Sequence, residues 1–135
     1  MSVRTRPTRR PRRILVVDDD PDVRLLVTLM LAEAGYEVDT AEDAYEALLT
    51  LYDTHPDLLL LDLMLPEEDG WDVIDAIRAN PETQGLPIVA MSAKFRLINT
   101  RDHGIQGYVA KPLVPLAMLD TLDAVLGQAT SPADR

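Results

Sequence analysis

Residues 57–70 read DLLLLDLMLPEEDG, and no other stretch limits the fold as tightly. Four consecutive leucines, Leu58 to Leu61, run into a single carboxylate, Asp62, and a loop holding Pro66 and Gly70 follows at once. A short unbroken apolar run between turn residues predicts a strand covered on both faces. Such a strand tolerates a charge at its end but not in its middle. The carboxyl end of a parallel strand is also where open α/β sheets place their ligands. Taken alone, Asp62 reads equally well as an aspartate that caps a turn, so the rest of the chain has to decide.

The flanking sequence repeats the pattern. Ile14 to Val17 is a second apolar run, ending in Asp18, Asp19 and Asp20. Pro21 suits the first turn of a helix, where its missing N–H costs nothing. Val23, Leu26, Val27, Met30, Leu31 and Ala34 are spaced as one apolar stripe, and Gly35 suits the helix end. Glu37 to Ala41 alternates like a half-exposed edge strand. Ala44, Ala47, Leu48 and Leu51 predict a second helix, and Trp71, Val73, Ile74 and Ile77 a third. Ile88 to Met91 and Tyr108 to Ala110 are two more strands, ending at Ser92 and at Lys111. A last helix opens at Pro115, turns Met118, Leu119, Leu122, Val125 and Leu126 inward, and closes at Gly127. Between Ser92 and Tyr108 the helical periodicity is weak, so the helix expected there is short or irregular. The alternation predicts an α/β fold, a doubly wound parallel sheet of five strands with helices on both faces. Right-handed crossovers then bring the strand ends to one rim. His55 and His103 lie in polar connections and read as surface residues.

The length suits one domain. We place it at 14–127, between an arginine-rich arm at 1–13, expected to be disordered, and a flexible tail at 128–135. The arm holds six arginines and no acid; thirteen basic groups less those six leaves seven against twenty-three acids, a net of −16 on the remainder. A body that acidic repels nucleic acid and attracts divalent cations or basic partners, so contact with nucleic acid is expected only through the arm. There is no cysteine, which excludes disulfides and thiolate metal sites. No apolar run is long enough to span a membrane. The basic start is followed by only four apolar residues before the aspartates, too few for a signal peptide. The expectation is a cytoplasmic protein.

Collecting the residues at the strand ends gives a chemical set. Asp18 and Asp19 follow the first strand, Asp62 the third, Ser92 the fourth and Lys111 the fifth. Each has a bland reading: a solvated turn, a helix cap, a surface lysine. Together they place three carboxylates, a hydroxyl and an ammonium at one cleft. Carboxylates that close are unfavourable without a cation among them, and an oxygen-only ligand set suits Mg²⁺. A phosphoryl group fits the same set, because its transfer depends mainly on positioning and charge neutralisation. Asp62 would then be the nucleophile of an aspartyl phosphate.

The chain resembles the response-regulator receiver domains of two-component signalling. The resemblance rests on ILVVDDD (14–20), LLLLDLMLPEEDGW (58–71), PIVAMSAK (87–94) and GYVAKPL (107–113), and covers roughly Ile14 to Leu126. It implies a flavodoxin-like sheet of order 2-1-3-4-5. It implies that Asp62 is the phosphoacceptor, that Asp19 and Asp62 hold Mg²⁺ directly with Asp18 acting through water, and that the backbone carbonyl of Met64 is a further ligand. By the same resemblance Ser92 and Tyr108 are switch residues, Lys111 pairs with the phosphoryl oxygens, and the Lys111–Pro112 bond is cis. The phosphodonor would be a histidine kinase or a phosphotransfer protein, and the output a downstream protein target.

Two departures qualify the resemblance. The segment from Ser92 to Lys111 is short, which puts the fourth helix and the usual dimer face in doubt. Met64 and Lys94 stand where polar or acidic side chains would position water, so self-dephosphorylation is expected to be slow. Nothing after Gly127 has room for an effector domain, so the chain reads as a stand-alone receiver or as a piece of a longer kinase or regulator. Two other functions compete: a phosphate-independent pseudo-receiver, which the intact site set disfavours, and a phosphohydrolase. Phosphohydrolases of the haloacid-dehalogenase type, which work through an aspartyl phosphate, need a second aspartate two residues beyond the nucleophile, where this chain has Met64.

Overall fold

The structure is a computed structural model and describes residues 11–65, 70–93 and 104–129. The described elements are β1 (Arg13–Val17), α1 (Pro21–Glu33), β2 (Glu37–Ala41), α2 (Ala44–Thr54), β3 (Leu58–Asp62), α3 (Gly70–Ala79), β4 (Ile88–Ser92), β5 (Gly107–Ala110) and α4 (Pro115–Ala129). All strand pairings are parallel, and the order is β2-β1-β3-β4-β5. The expected doubly wound sheet is therefore present. Arginine-arm residues 1–10, His103, Lys94 and the expected irregular fourth helix lie outside the described residues, as does the tail from 130 onward.

Burial follows position in the sheet. β3 and β4 are buried along their whole length, and β1 is buried after its first residue, whereas the edge strands β2 and β5 are largely part-exposed. Central parallel strands have helices on both faces, so an unbroken apolar run is the only sequence that suits them. Alternate residues then serve two cores. Leu15, Val17, Leu59 and Leu61 join Ala44, Ala47 and Leu51 of α2 and Val73, Ile74 and Ile77 of α3. Ile14, Val16, Leu58 and Leu60 join Val27 and Leu31 of α1 and Met118, Leu122, Val125 and Leu126 of α4.

Several boundaries and faces differ from the sequence reading. β1 begins at Arg13, inside the expected arm. Its guanidinium donates to Asp39 at 2.8 Å and Glu37 at 2.5 Å on the edge strand, while its backbone pairs with Glu37 and exchanges hydrogen bonds with Asp57. α4 runs on through Gly127 to Ala129. One exposed glycine costs a helix about 1 kcal/mol, less than the burial of Val125 and Leu126 just before it returns. The apolar stripe of α1 is narrower than its spacing suggests. Val27 and Leu31 are buried and Val23 and Met30 pack against them, but Leu26 is 49 % exposed and Ala34 is exposed. Only one side of α1 touches the sheet. His55 is exposed as expected, and also caps α2 in a left-handed conformation with φ of 49°. Among the described residues no helix is long and apolar enough to cross a membrane.

Candidate functional site

The carboxyl ends of β1, β3, β4 and β5 meet at one rim. Asp18 follows directly on β1 and is fully buried; Asp62 ends β3 and Ser92 ends β4, each 3 % exposed. Lys111 follows β5, and its Nζ donates to Asp18 Oδ2 at 2.7 Å and to Asp62 Oδ2 at 3.1 Å. Asp19 is exposed, and carboxylate oxygens of Asp18, Asp19 and Asp62 lie within 4.8 Å of one another. Buried strands force this arrangement. A charge can leave the apolar layer only at a strand end, and parallel strands put those ends together.

All four polar atoms of Asp18 have a partner. Its N–H donates to the Ala41 carbonyl at 3.2 Å, Oδ1 accepts from the Asp20 N–H at 2.9 Å, Oδ2 accepts from Lys111, and its carbonyl accepts from Arg24 Nη1 at 2.7 Å. Asp20 in turn caps α1, its Oδ1 accepting from the Asp22 N–H at 2.9 Å with Pro21 in the first turn. Asp20 and Arg24 therefore help to form the site, although the strand-end pattern does not include them. The Asp-Pro pair announces a helix cap in sequence, but nothing in sequence aims the Arg24 side chain back at the loop.

On the β3 side, the Met64 N–H donates to Asp62 Oδ1 at 2.8 Å, and the Met64 side chain is 56 % exposed. Gly70, the first residue of α3, closes this loop against β3: its N–H donates to the Leu63 carbonyl at 3.2 Å, and a Cβ there would lie 2.7 Å from Leu63 Cα. On the β5 side, the Tyr108 hydroxyl donates to the Ser92 carbonyl at 2.5 Å. The Lys111 N–H donates to the same carbonyl at 3.1 Å, and the Lys111–Pro112 peptide is cis.

Electrostatics follow from burial. Burial pushes the Asp18 carboxyl above the usual carboxylate range and the nearby Asp62 charge adds to this, while the Lys111 and Asp20 hydrogen bonds pull the other way. Burial alone would lower the Lys111 ammonium, but its bonds to Asp18 and Asp62 outweigh that and hold it above its ordinary value. One ammonium faces three carboxylates, so the cluster has room electrostatically for a divalent cation. Its all-oxygen donors fit a hard ion such as Mg²⁺ rather than a thiophilic one. A cavity of about 410 Å³ at the opposite end of the sheet, lined by Arg12, His55, Pro56, Asp57, Glu82 and Leu86, among others, contains none of these groups.

Comparison with known proteins agrees with the geometry. Residues 14–123 match the response regulator receiver domain model. The chain is 36 % identical over 117 residues, 84 % of its length, to the DNA-binding dual master transcriptional regulator RpaA of Synechocystis, and covers 48 % of that protein. It is 37 % identical over 118 residues to the DNA-binding response regulator MtrA of Mycolicibacterium smegmatis, covering 85 % of this chain and 50 % of that one. The chain thus spans about half the length of these two relatives. Among solved structures, the chemotaxis response regulator CheY4 of Vibrio cholerae superposes with a TM-score of 0.79 at 30 % identity, over 85 % of this chain and 98 % of the other. The chain belongs to the response regulator receiver domain family of two-component systems.

Proposed function

We propose that this receiver accepts a phosphoryl group on Asp62 and that the modification changes a protein-binding surface. The observation that carries the reading is the Lys111 ammonium held at 3.1 Å from Asp62 Oδ2 and 2.7 Å from Asp18 Oδ2, with Asp19 completing the acidic cluster. In the step proposed, an Asp62 carboxylate oxygen attacks the phosphorus of a phosphohistidine or an acyl phosphate. A P–O bond to Asp62 forms, the bond from phosphorus to the donor nitrogen or acyl oxygen breaks, and the donor leaves with the electron pair. Asp62 enters as a carboxylate, so no proton has to be removed from it.

Asp18, Asp19, Asp62 and the Met64 carbonyl would hold Mg²⁺, which when bound supplies positive charge against the phosphoryl oxygens. Lys111 has the reach to pair with the same oxygens. Ser92, buried at the end of β4, would donate its hydroxyl to one of them. Tyr108 is tied to Ser92 through the Ser92 carbonyl, so a shift of Ser92 toward the phosphoryl group would alter the Tyr108 hydrogen bond. That is the proposed link from chemistry to surface.

The donor would be a histidine kinase or a phosphotransfer protein. α1 starts beside the acidic cluster and presents Leu25, Leu26 and Leu29 at 60, 49 and 60 % exposure, an apolar strip on which a donor helix could seat. The output would be a downstream protein. The test is intact mass after incubation with acetyl phosphate and Mg²⁺. One added phosphoryl group is expected, absent in Asp62→Ala and absent without Mg²⁺. Failure to label, together with failure to bind beryllofluoride in the presence of Mg²⁺, would overturn the reading.

A further inference from the structure

The outer face of α2 carries a feature that the carboxylate site does not use. Tyr45, Leu49 and Tyr52 are 71, 50 and 44 % exposed. Their spacing of four and three residues puts them on one stripe along the helix. Exposed apolar residues scattered singly need no explanation, but three in register along a short helix form a continuous ridge. Tyr52 is held in place, because Asn80 at the end of α3 donates to its hydroxyl at 2.6 Å. α3 lies beside α2 on the same face of the sheet, since both pack into the same core.

Among the described residues, the exposed charges on α2 and α3 themselves have one sign. The exposed charged residues of α2 are Glu46 and Asp53, and those of α3 are Asp72 and Asp75. The two helices contain one basic residue, Arg78, and its guanidinium is turned into the protein, where it donates to the carbonyls of Gln84, Leu86 and Gly104 and to Gln106 Oε1.

We infer that the α2 face is a second protein-docking surface, separate from the carboxylate cleft, and that its occupant is a cationic amphipathic helix of a partner protein. An apolar ridge of this length accepts the apolar face of a helix laid along it. The acids beside it attract lysine or arginine on the flanks of that helix, and the tyrosine rings offer faces for cation–π contact. A second copy of this chain docking through the same face would set carboxylates against carboxylates, which is repulsive. The inference does not depend on phosphorylation of Asp62.

The test is an NMR titration of the ¹⁵N-labelled full chain with a capped leucine/lysine amphipathic peptide of about five helical turns, beside a leucine/glutamate counterpart. The lysine peptide is expected to shift amides of residues 44–54, to weaken with added salt, and to bind at least about tenfold less well to a Tyr45→Ser, Leu49→Ser double variant, a loss of about 1.4 kcal/mol. The glutamate peptide should not bind, and Leu116→Ser, an exposed position on another helix, should bind normally. Because both altered side chains are at least half exposed, the double variant is expected to fold, which circular dichroism checks. Shifts centred on α1 or spread over the molecule, or unchanged affinity in the double variant, would overturn the inference. So would self-association abolished by the double variant, which would assign the face to a second copy. Unmasking of the α2 amides on deletion of residues 1–10 would assign it to the chain's own arm.

Discussion

Lys111 Nζ and Asp18 Oδ2 stand 2.7 Å apart although their strands, β5 and β1, are separated in the sheet by β4 and β3. The lysine side chain lies across the intervening strand ends and meets Asp62 on the way, at 3.1 Å. These two contacts therefore tie together three of the five strands, β1, β3 and β5, at their carboxyl ends.

Replacing Lys111 by methionine keeps the bulk and removes the charge. Asp18, with no exposed surface, would lose the hydrogen bond that offsets its burial. Breaking one partner of such a pair costs roughly 3–5 kcal/mol when fully buried. Lys111 is 23 % exposed at its side chain, so about 2–3 kcal/mol is expected here. The sign with pH follows from the direction of the Asp18 shift. A carboxyl raised above its unfolded value favours the folded state when protonated, so the deficit should shrink as pH falls and Asp18 takes up a proton. Urea unfolding of Lys111→Met in EDTA at pH 8 and pH 5.5 checks this, and equal midpoints for variant and parent at pH 8 would refute it.

Gly70 tests how closely the β3–α3 loop is held to Asp62. An added Cβ would meet Leu63 Cα at 2.7 Å and the carbonyl oxygens of Asp62 and Leu63 at 3.0 and 3.1 Å. These are backbone atoms and cannot rotate away. Gly70→Ala is expected to lose about 1–3 kcal/mol, the usual cost of forcing atoms into a packed site. It should also slow labelling of Asp62, because the displaced backbone carries that residue. A variant with unchanged unfolding midpoint and labelling rate would show that the loop has slack.

Tyr36 offers a test at alkaline pH. Its hydroxyl donates to Asp123 Oδ1 of α4. Burial first, and then the Asp123 hydrogen bond, push the phenol up to about 12 from an ordinary value near 10. A folded value above the unfolded one means that the stabilisation is fully present below pH 10 and disappears as pH rises toward 12. Tyr36→Phe cannot ionise, so its urea midpoint should fall less than that of the parent between pH 10 and 12. The variant should also lack a late-titrating phenol in absorbance at 295 nm. Parallel midpoint curves for the two proteins would contradict the assignment.

Which parts could be read from sequence depended on whether backbone or side-chain geometry decided them. Leu58 to Asp62 and Ile14 to Val17 were legible because full burial leaves one composition for a central parallel strand, and the strand ends then located Asp18, Asp62, Ser92 and Lys111. Arg13 was not legible as a strand residue, because its partners Glu37, Asp39 and Asp57 are all distant in sequence. Gly127 resembled a helix end because local propensity ignores the tertiary burial of Val125 and Leu126. Leu26 falls in the apolar stripe of α1 by spacing yet lies exposed, because periodicity gives the direction of such a stripe but not its width. Arg24 is not legible as a site residue, because its role depends on where a long side chain turns.

Met64 bears on how long a phosphoryl group would persist. Its N–H is committed to Asp62 Oδ1, and its side chain, two residues beyond the proposed phosphoacceptor, is 56 % exposed. A thioether neither donates a proton nor accepts one strongly, so it cannot orient a water molecule toward phosphorus. An asparagine at the same place could do so through its amide. If that amide adds one hydrogen bond in the transition state, worth about 1 kcal/mol, hydrolysis should quicken roughly fivefold. Met64→Asn is therefore expected to shorten the half-life of phosphorylated Asp62 by about that factor, measured by intact mass after removal of acetyl phosphate, with the unfolding midpoint little changed because the side chain is exposed. Met64→Leu, equally unable to orient water, should keep the parental half-life. Equal half-lives for the asparagine and leucine variants would show that water reaches the phosphoryl group without help from this position.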